Sequence, residues 1–143
     1  MRRDYFEVEC SGVDESNDRP VIAITYDGPT GLLTERLSAA DGTLDASELD
    51  VAYRQTAEGD ETAGVLSIAN RITGDFVLET NVESATIESL VGAAGDGDGT
   101  SYRIRLTDGD GKSTIYDKEI LLVYDESGSL CRGESLIPGG VEL

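Results

Sequence analysis

The sequence predicts a mainly β protein: an antiparallel β-sandwich or barrel of about 8–10 short strands, with one short α-helix at about residues 82–94. Three observations predict it. Apolar and polar residues alternate along many short segments, turn-forming residues recur roughly every ten positions, and a single segment has apolar residues at helical spacing.

From Asp4 to Cys10, Phe6, Val8 and Cys10 share one face and Glu7 and Glu9 the other, as in a half-buried strand. Arg19 to Tyr26 repeats the pattern with Ile22, Ile24 and Tyr26. Leu32 to Leu37 fits two patterns, one helical face or a strand running into the Asp41-Gly42 turn, and the strand is preferred. Leu49 to Gln55 sets Leu49, Val51 and Tyr53 inward. Val65 to Asn70 and Phe76 to Thr80 form a hairpin in which Gly74 supplies a positive φ.

Ile87, Leu90, Val91 and Ala94 fall at i, i+3, i+4 and i+7 of a helix. Asn81 is its expected N-cap, Glu83 suits its positive end and Gly95 is its stop. Tyr102 to Thr107 alternates, with Arg103 and Arg105 outward. Thr114 to Lys118, Ile120 to Tyr124 and Leu130 to Ile137 complete the strands. Ile120-Leu121-Leu122-Val123 is apolar on both faces and is expected at the centre of the fold. Ser11 to Asp18 and Gly92 to Thr100 are expected loops.

At 143 residues, one domain spanning 1–143 is the expectation. No stretch approaches the roughly 20 apolar residues of a membrane helix, and Met1 to Phe6 has no apolar signal region. A cytoplasmic location is expected, with no membrane partner. Cys10 and Cys131 are too far apart in sequence for a local metal knuckle. They are two small buried side chains, or a bridge between neighbouring strands.

Charge is the strongest compositional feature. Asp and Glu number 29 against 11 Lys and Arg, a formal net charge of -18, and only Lys112 and Lys118 are lysines. At low ionic strength such a charge repels itself and opposes the compact state. At about 1 M salt the Debye length is roughly 3 Å, and the repulsion is screened. Acid spread along the whole chain, together with scarce lysine, points to a halophilic protein. The same negative field excludes nucleic acid as an expected partner, because phosphate binding draws on basic residues.

Catalytic patterns are scarce. With no His, a Ser-His-Asp or Cys-His arrangement is excluded, and no phosphate loop or nucleophile elbow occurs. The chain is therefore not expected to be an enzyme, and no cofactor is expected. Asp108, Asp110 and Glu119 occupy positions 1, 3 and 12 of a segment that echoes a calcium loop. Lys112 and Ser113 break that pattern at positions 5 and 6, and the flanks are strands. A hairpin with Asp108 to Gly111 at its tip is the plainer reading.

Asn70, Arg71 and Asp75 form a polar cluster at a tight hairpin, suited either to recognition or to turn formation with an ion pair. Val141 and Leu143 are apolar residues after Pro138-Gly139-Gly140. They fold back on the core or are offered to a partner.

Several stretches carry a family resemblance. They are Met1 to Phe6, Tyr26-Asp27-Gly28-Pro29, Asp45-Ala46-Ser47-Glu48, Asn70 to Glu79, and Leu122 through Leu143. The chain resembles, over nearly its whole length, a family of small uncharacterised proteins from halophilic archaea, a domain of unknown function. The resemblance implies an archaeal, halophilic and cytoplasmic protein, and brings no catalytic residues. The function expected is a non-enzymatic acidic domain that binds a protein partner or forms a homo-oligomer. The alternatives are a divalent-cation module or cation-dependent enzyme, and a small-molecule-binding β-barrel.

The charge generates a direct test. Dilution from molar KCl to below about 0.1 M lengthens the Debye length to about 10 Å and should loosen or unfold the domain. Thermal melts across that range check it. A cooperative melt that does not change with salt contradicts the halophilic reading.

Overall fold

The structure, a computed structural model, describes residues 5–11, 20–39, 42–56, 64–95, 102–131 and 135–136. Among the described residues, eight strands build a sandwich-like pair of four-stranded sheets, not a closed barrel, and two α-helices join them. The first sheet has the order β1-β2-β8-β9, from Phe6–Ser11, Val21–Tyr26, Tyr102–Thr107 and Ser113–Lys118. The second has the order β10-β5-β6-β7, from Leu122–Tyr124, Leu49–Gln55, Gly64–Asn70 and Phe76–Asn81. A small ribbon pairs β3 (Ser38–Ala39) with β4 (Gly42–Thr43).

The alternation in sequence fixes which side chains face inward. Ile22, Ile24, Ile104 and Leu106 of the first sheet meet Leu49, Val51, Leu66 and Ile68 of the second in one core. Most pairs are antiparallel, as expected. Two are parallel, β2 with β8 and β5 with β10. The parallel pairs arise because the chain leaves each sheet and returns to it after crossing to the other.

Three local expectations are corrected. Leu32 to Leu37 is not a strand: Leu32–Arg36 is helix α1. A strand would set Glu35 on the same face as Leu33 and Leu37. The helix buries both leucines four positions apart and leaves Glu35 exposed. The second helix, α2, spans Ser84–Gly95, so Asn81 is not its N-cap but the last residue of β7. Val82 still donates its N–H to the Gly64 carbonyl at 3.0 Å, which holds the backbone in the sheet beyond Asn81.

Ile120 to Val123 is not central, because β10 is an edge strand. Leu121 and Val123 are buried, and the outer edge of the segment is bridged by single pairings of Leu121 with Leu136 and Tyr124 with Leu130. The strand expected over Leu130 to Ile137 lies partly outside the described residues, at 132–134 and 137. Cys10 lies in the first sheet and Cys131 beside β10 of the second; they are half-buried and not joined to each other.

Two hairpins share one turn device. Asp108 exchanges backbone bonds around its turn, accepting from Gly111 N–H at 3.0 Å, while its Oδ1 accepts from Asp110 and Lys112 N–H, each at 2.9 Å. Gly111 closes the turn at φ 84°, a conformation that a side chain resists. Asp125 repeats the arrangement, with Oδ1 accepting from the N–H groups of Ser127 and Ser129. The Ser127 hydroxyl, and then the Ser129 N–H, hold the Asp125 carboxyl below the usual range.

The chain passes between the sheets at three points, and a tyrosine hydroxyl meets a carbonyl at each. Tyr26 donates to Pro29 O at 2.7 Å as the chain leaves β2. Tyr53 donates to Val82 O at 2.7 Å between β7 and α2. Tyr102 donates to Ile120 O at 2.8 Å between β9 and β10. Gly64 lies under the Tyr53 ring, where an added Cβ would overlap the hydroxyl. Burial pushes the Tyr53 phenol up to about 12, with Glu88 and Glu83 adding to the rise, and raises Tyr102 and Tyr26 as well.

These hydroxyls stay protonated in the fold when exposed tyrosines ionise. Above pH 10 the unfolded chain therefore releases protons that the folded chain keeps, and stability should fall as pH rises. Tyr53→Phe and Tyr102→Phe should each cost about 1–3 kcal/mol at neutral pH by leaving a carbonyl unpaired. Each should also flatten the alkaline decline. Melting temperature against pH, for wild type and both variants, measures the two effects together.

Candidate functional site

The parallel pairing of β5 with β10 sets Leu122 beside Ala52 and Tyr124 beside Arg54 on the outer face of the second sheet. At one end of that face a cleft of about 750 Å³ opens between the sheet, the Ala46–Glu48 turn and the segment from Asp117 to Ile120. Its volume is in the range of small-ligand sites, and Leu122, Ala52 and Ile120 give it apolar walls.

Two cations border the cleft. Arg71 uses Nε and a terminal nitrogen on Asp50 Oδ1, at 2.8 and 2.7 Å. Lys118 donates its ammonium to the carbonyls of Ala46 and Leu49, both at 2.7 Å. Burial lowers the Lys118 pKa, the neighbouring Arg71 lowers it further, and Asp50 opposes both. The ammonium ties the turn before β5 to the last residue of β9. Its chemistry is that of a structural clamp with a partly exposed flank.

The expected recognition residues come together at one turn. Asn70 Oδ1 accepts from the N–H groups of Ile72 and Thr73 at 2.9 and 3.3 Å. Asn70 N–H donates to the Asp75 carbonyl at 2.8 Å, and Asp75 N–H donates to Thr73 Oγ1 at 3.2 Å. Arg71 points to Asp50 and to the cleft. The same turn carries Ile72, 70 % exposed, and leads into Phe76, 50 % exposed.

The expected metal residues are not brought together. Asp108 and Asp110 lie in the turn before β9, while Glu119 follows its far end and lines the cleft. Six strand residues separate the two places by about 20 Å. Asp27 joins Asp108 and Asp110 around a different hollow of about 370 Å³. Among the described residues no three acids or cysteines stand close enough to hold a metal ion. Val141 and Leu143, and the acidic run Asp96 to Gly99, lie outside the described residues.

Sequence reasoning passed over Lys118, Ile72 and Phe76. Lys118 had a signal. It shares parity with the inward Tyr116, so the alternation of its own strand points it away from solvent. Phe76 had none, because its outward side follows from a register shift between β6 and β7 near Ile68 and Ala69.

Removing the clamp tests its role. Lys118→Met keeps the apolar stem and leaves two carbonyls without a donor, so stability should fall by about 1–3 kcal/mol. Denaturant unfolding of both proteins in molar KCl reads the difference. An unchanged midpoint shows that water replaces the ammonium at no cost.

Comparison with curated proteins and with solved structures finds no match. A family model does match, over residues 1–143. It places the chain in a family of unknown function, DUF5793, to which this protein belongs.

Proposed function

We propose that this chain is a non-enzymatic binding domain of a salt-rich, halophilic archaeal cytoplasm, and that it engages another protein or a second copy of itself. The contact surface is the outer face of the second sheet with the Asn70–Asp75 turn. The observation that carries this reading is a pair of exposed apolar side chains, Ile72 on a turn held by the Asn70 side chain and Phe76 at the start of β7. A fixed apolar tip loses little freedom on binding, and it stands beside a cleft that can take a partner's side chains. The -18 charge supports the salt-rich setting, since screening there removes the long-range repulsion a partner would meet. The Val141–Leu143 segment is a second proposed contact.

A divalent-cation role is the competing reading, and it rests on the two carboxylates of the Asp108–Asp110 turn alone, since among the described residues no third acid stands close enough to complete a site. A melting shift specific to calcium or magnesium, over a background of molar KCl, would establish it in place of the first.

A tagged pull-down in molar KCl tests the binding reading. Wild type should retain a stoichiometric protein, either another chain or an untagged copy. Ile72→Asp combined with Phe76→Asp should release it while the thermal melt stays within a few degrees of wild type. Retention by the double variant, or an empty wild-type bait, would sink the reading.

A further inference from the structure

We propose that the cleft between the Ala46–Glu48 turn and the segment from Asp117 to Ile120 binds a small amphipathic carboxylate, an apolar body carrying one carboxylate group. The Lys118 ammonium receives the carboxylate, and Ala52, Ile120 and Leu122 take the apolar body. This goes beyond the protein contact proposed above and does not depend on it.

Charge at the cleft points to an anion. Lys118 lines the cleft, is partly buried, and has three N–H donors on its ammonium. Two are held by the carbonyls of Ala46 and Leu49, each at 2.7 Å. Those carbonyls are neutral, so the bonds leave the positive charge without a counter-ion. Among the described residues no carboxylate forms an ion pair with it. Asp50 is the acid whose charge reaches Lys118, and its Oδ1 is held by Arg71. Arg71 acts on Lys118 as a second cation. The two cations thus share the one carboxylate of Asp50. A partly buried cation without a counter-ion of its own is a costly state, and an anion relieves it.

The other acids of the cleft set the size of that anion's charge. Asp117 pairs with Arg103 at 2.8 Å. Glu119 lines the cleft and is exposed. Its charge opposes a doubly charged anion more than a singly charged one, which favours a carboxylate over a phosphate. The third N–H of Lys118 and the second terminal nitrogen of Arg71 have no partner among the described residues. They are the donors for the two carboxylate oxygens.

The sheet supplies the apolar half of the site. In register, Ala52 of β5 lies between Leu122 of β10 and Ser67 of β6. The small Ala52 side chain keeps the floor of the cleft low, and Leu122 and Ile120 line it beside that floor. At about 750 Å³ the cleft has room for a chain of several carbons.

Salt decides between a bare anion and an amphipathic one. In molar KCl, chloride competes for the cations and screening weakens an exposed ion pair. Burial of apolar surface is not screened. The apolar body therefore supplies most of the affinity, and the carboxylate fixes the orientation.

Hexanoate is the probe, titrated into the protein in molar KCl and followed by NMR. The chain has two lysines, so two side-chain Nζ signals report on the ammonium groups. The Lys118 signal should move and the Lys112 signal stay, together with shifts at the amides of Ala52, Ile120 and Leu122. A roughly millimolar dissociation constant is expected. Hexanamide, with the same shape and no charge, should bind about tenfold more weakly or less. Ala52→Leu fills the floor and should weaken hexanoate about tenfold or more with its circular dichroism and melt unchanged. Ala23→Leu, on the outer face of the first sheet, should leave binding intact. Lys118→Met should lose the preference for hexanoate over hexanamide. If that variant does not fold, Ala52→Leu and the lysine signals still decide.

A Lys118 signal that hexanoate does not move overturns the proposal. Equal binding of hexanamide overturns it too, because the cations then select nothing. So does an Ala52→Leu protein that binds hexanoate like wild type, since the probe then sits elsewhere.

Discussion

The carbonyl groups at the places where the chain leaves a sheet are the constraint on which this fold depends. A strand's backbone groups are satisfied by its neighbours, but a chain that crosses between sheets carries carbonyls out of the ladder and through the edge of the core. Here a core tyrosine answers at each crossing: Tyr26 at Pro29, Tyr53 at Val82 and Tyr102 at Ile120. The ring supplies apolar bulk and the hydroxyl supplies the donor, so one residue serves both the core and its margin. With no Trp and only two Phe in the chain, tyrosine supplies most of the aromatic volume as well.

The scarce cations follow a related logic. Lys118 holds the carbonyls of Ala46 and Leu49, Arg36 holds that of Phe76 at 2.8 Å and Arg54 reaches that of Glu126 at 3.3 Å. Arg71 and Arg103 instead pair with Asp50 and Asp117. A hydrogen bond from a charged donor is stronger than a neutral one, and it survives the screening that weakens an exposed ion pair. In a salt-rich solvent, cations placed on carbonyls keep more of their value than cations placed among surface acids.

The strands, α2 and the hairpin turns were legible because each depends on residues close together in sequence. Phe6, Val8 and Cys10, or Tyr102, Ile104 and Leu106, show their inward face by alternation alone. The turn at Asp108 needs only a carboxylate that reaches its own backbone and a glycine at Gly111. Leu32 to Leu37 was misjudged because a six-residue segment satisfies both periods. Only the position of the core shows that Glu35 must turn away from Leu33 and Leu37. The candidate site was half legible. Asn70, Arg71 and Asp75 signalled a turn, but Asp108 and Glu119 suggested a proximity that the length of β9 forbids.

The sequence by itself determined the β class, the inward side of the regularly alternating strands, the turn chemistry and a net charge of -18. All of these are local or additive properties, written in spacing and composition. The tertiary structure alone decided which strands lie side by side, that β2–β8 and β5–β10 run parallel, and that β10 is an edge. It also decided that Lys118 reaches the turn before β5, and that Phe76 shares a face with Ala52 and Leu122. Alternation shows a strand's two faces but says nothing of its neighbour. That choice is made by the crossings between sheets and by the carbonyls that must be satisfied there.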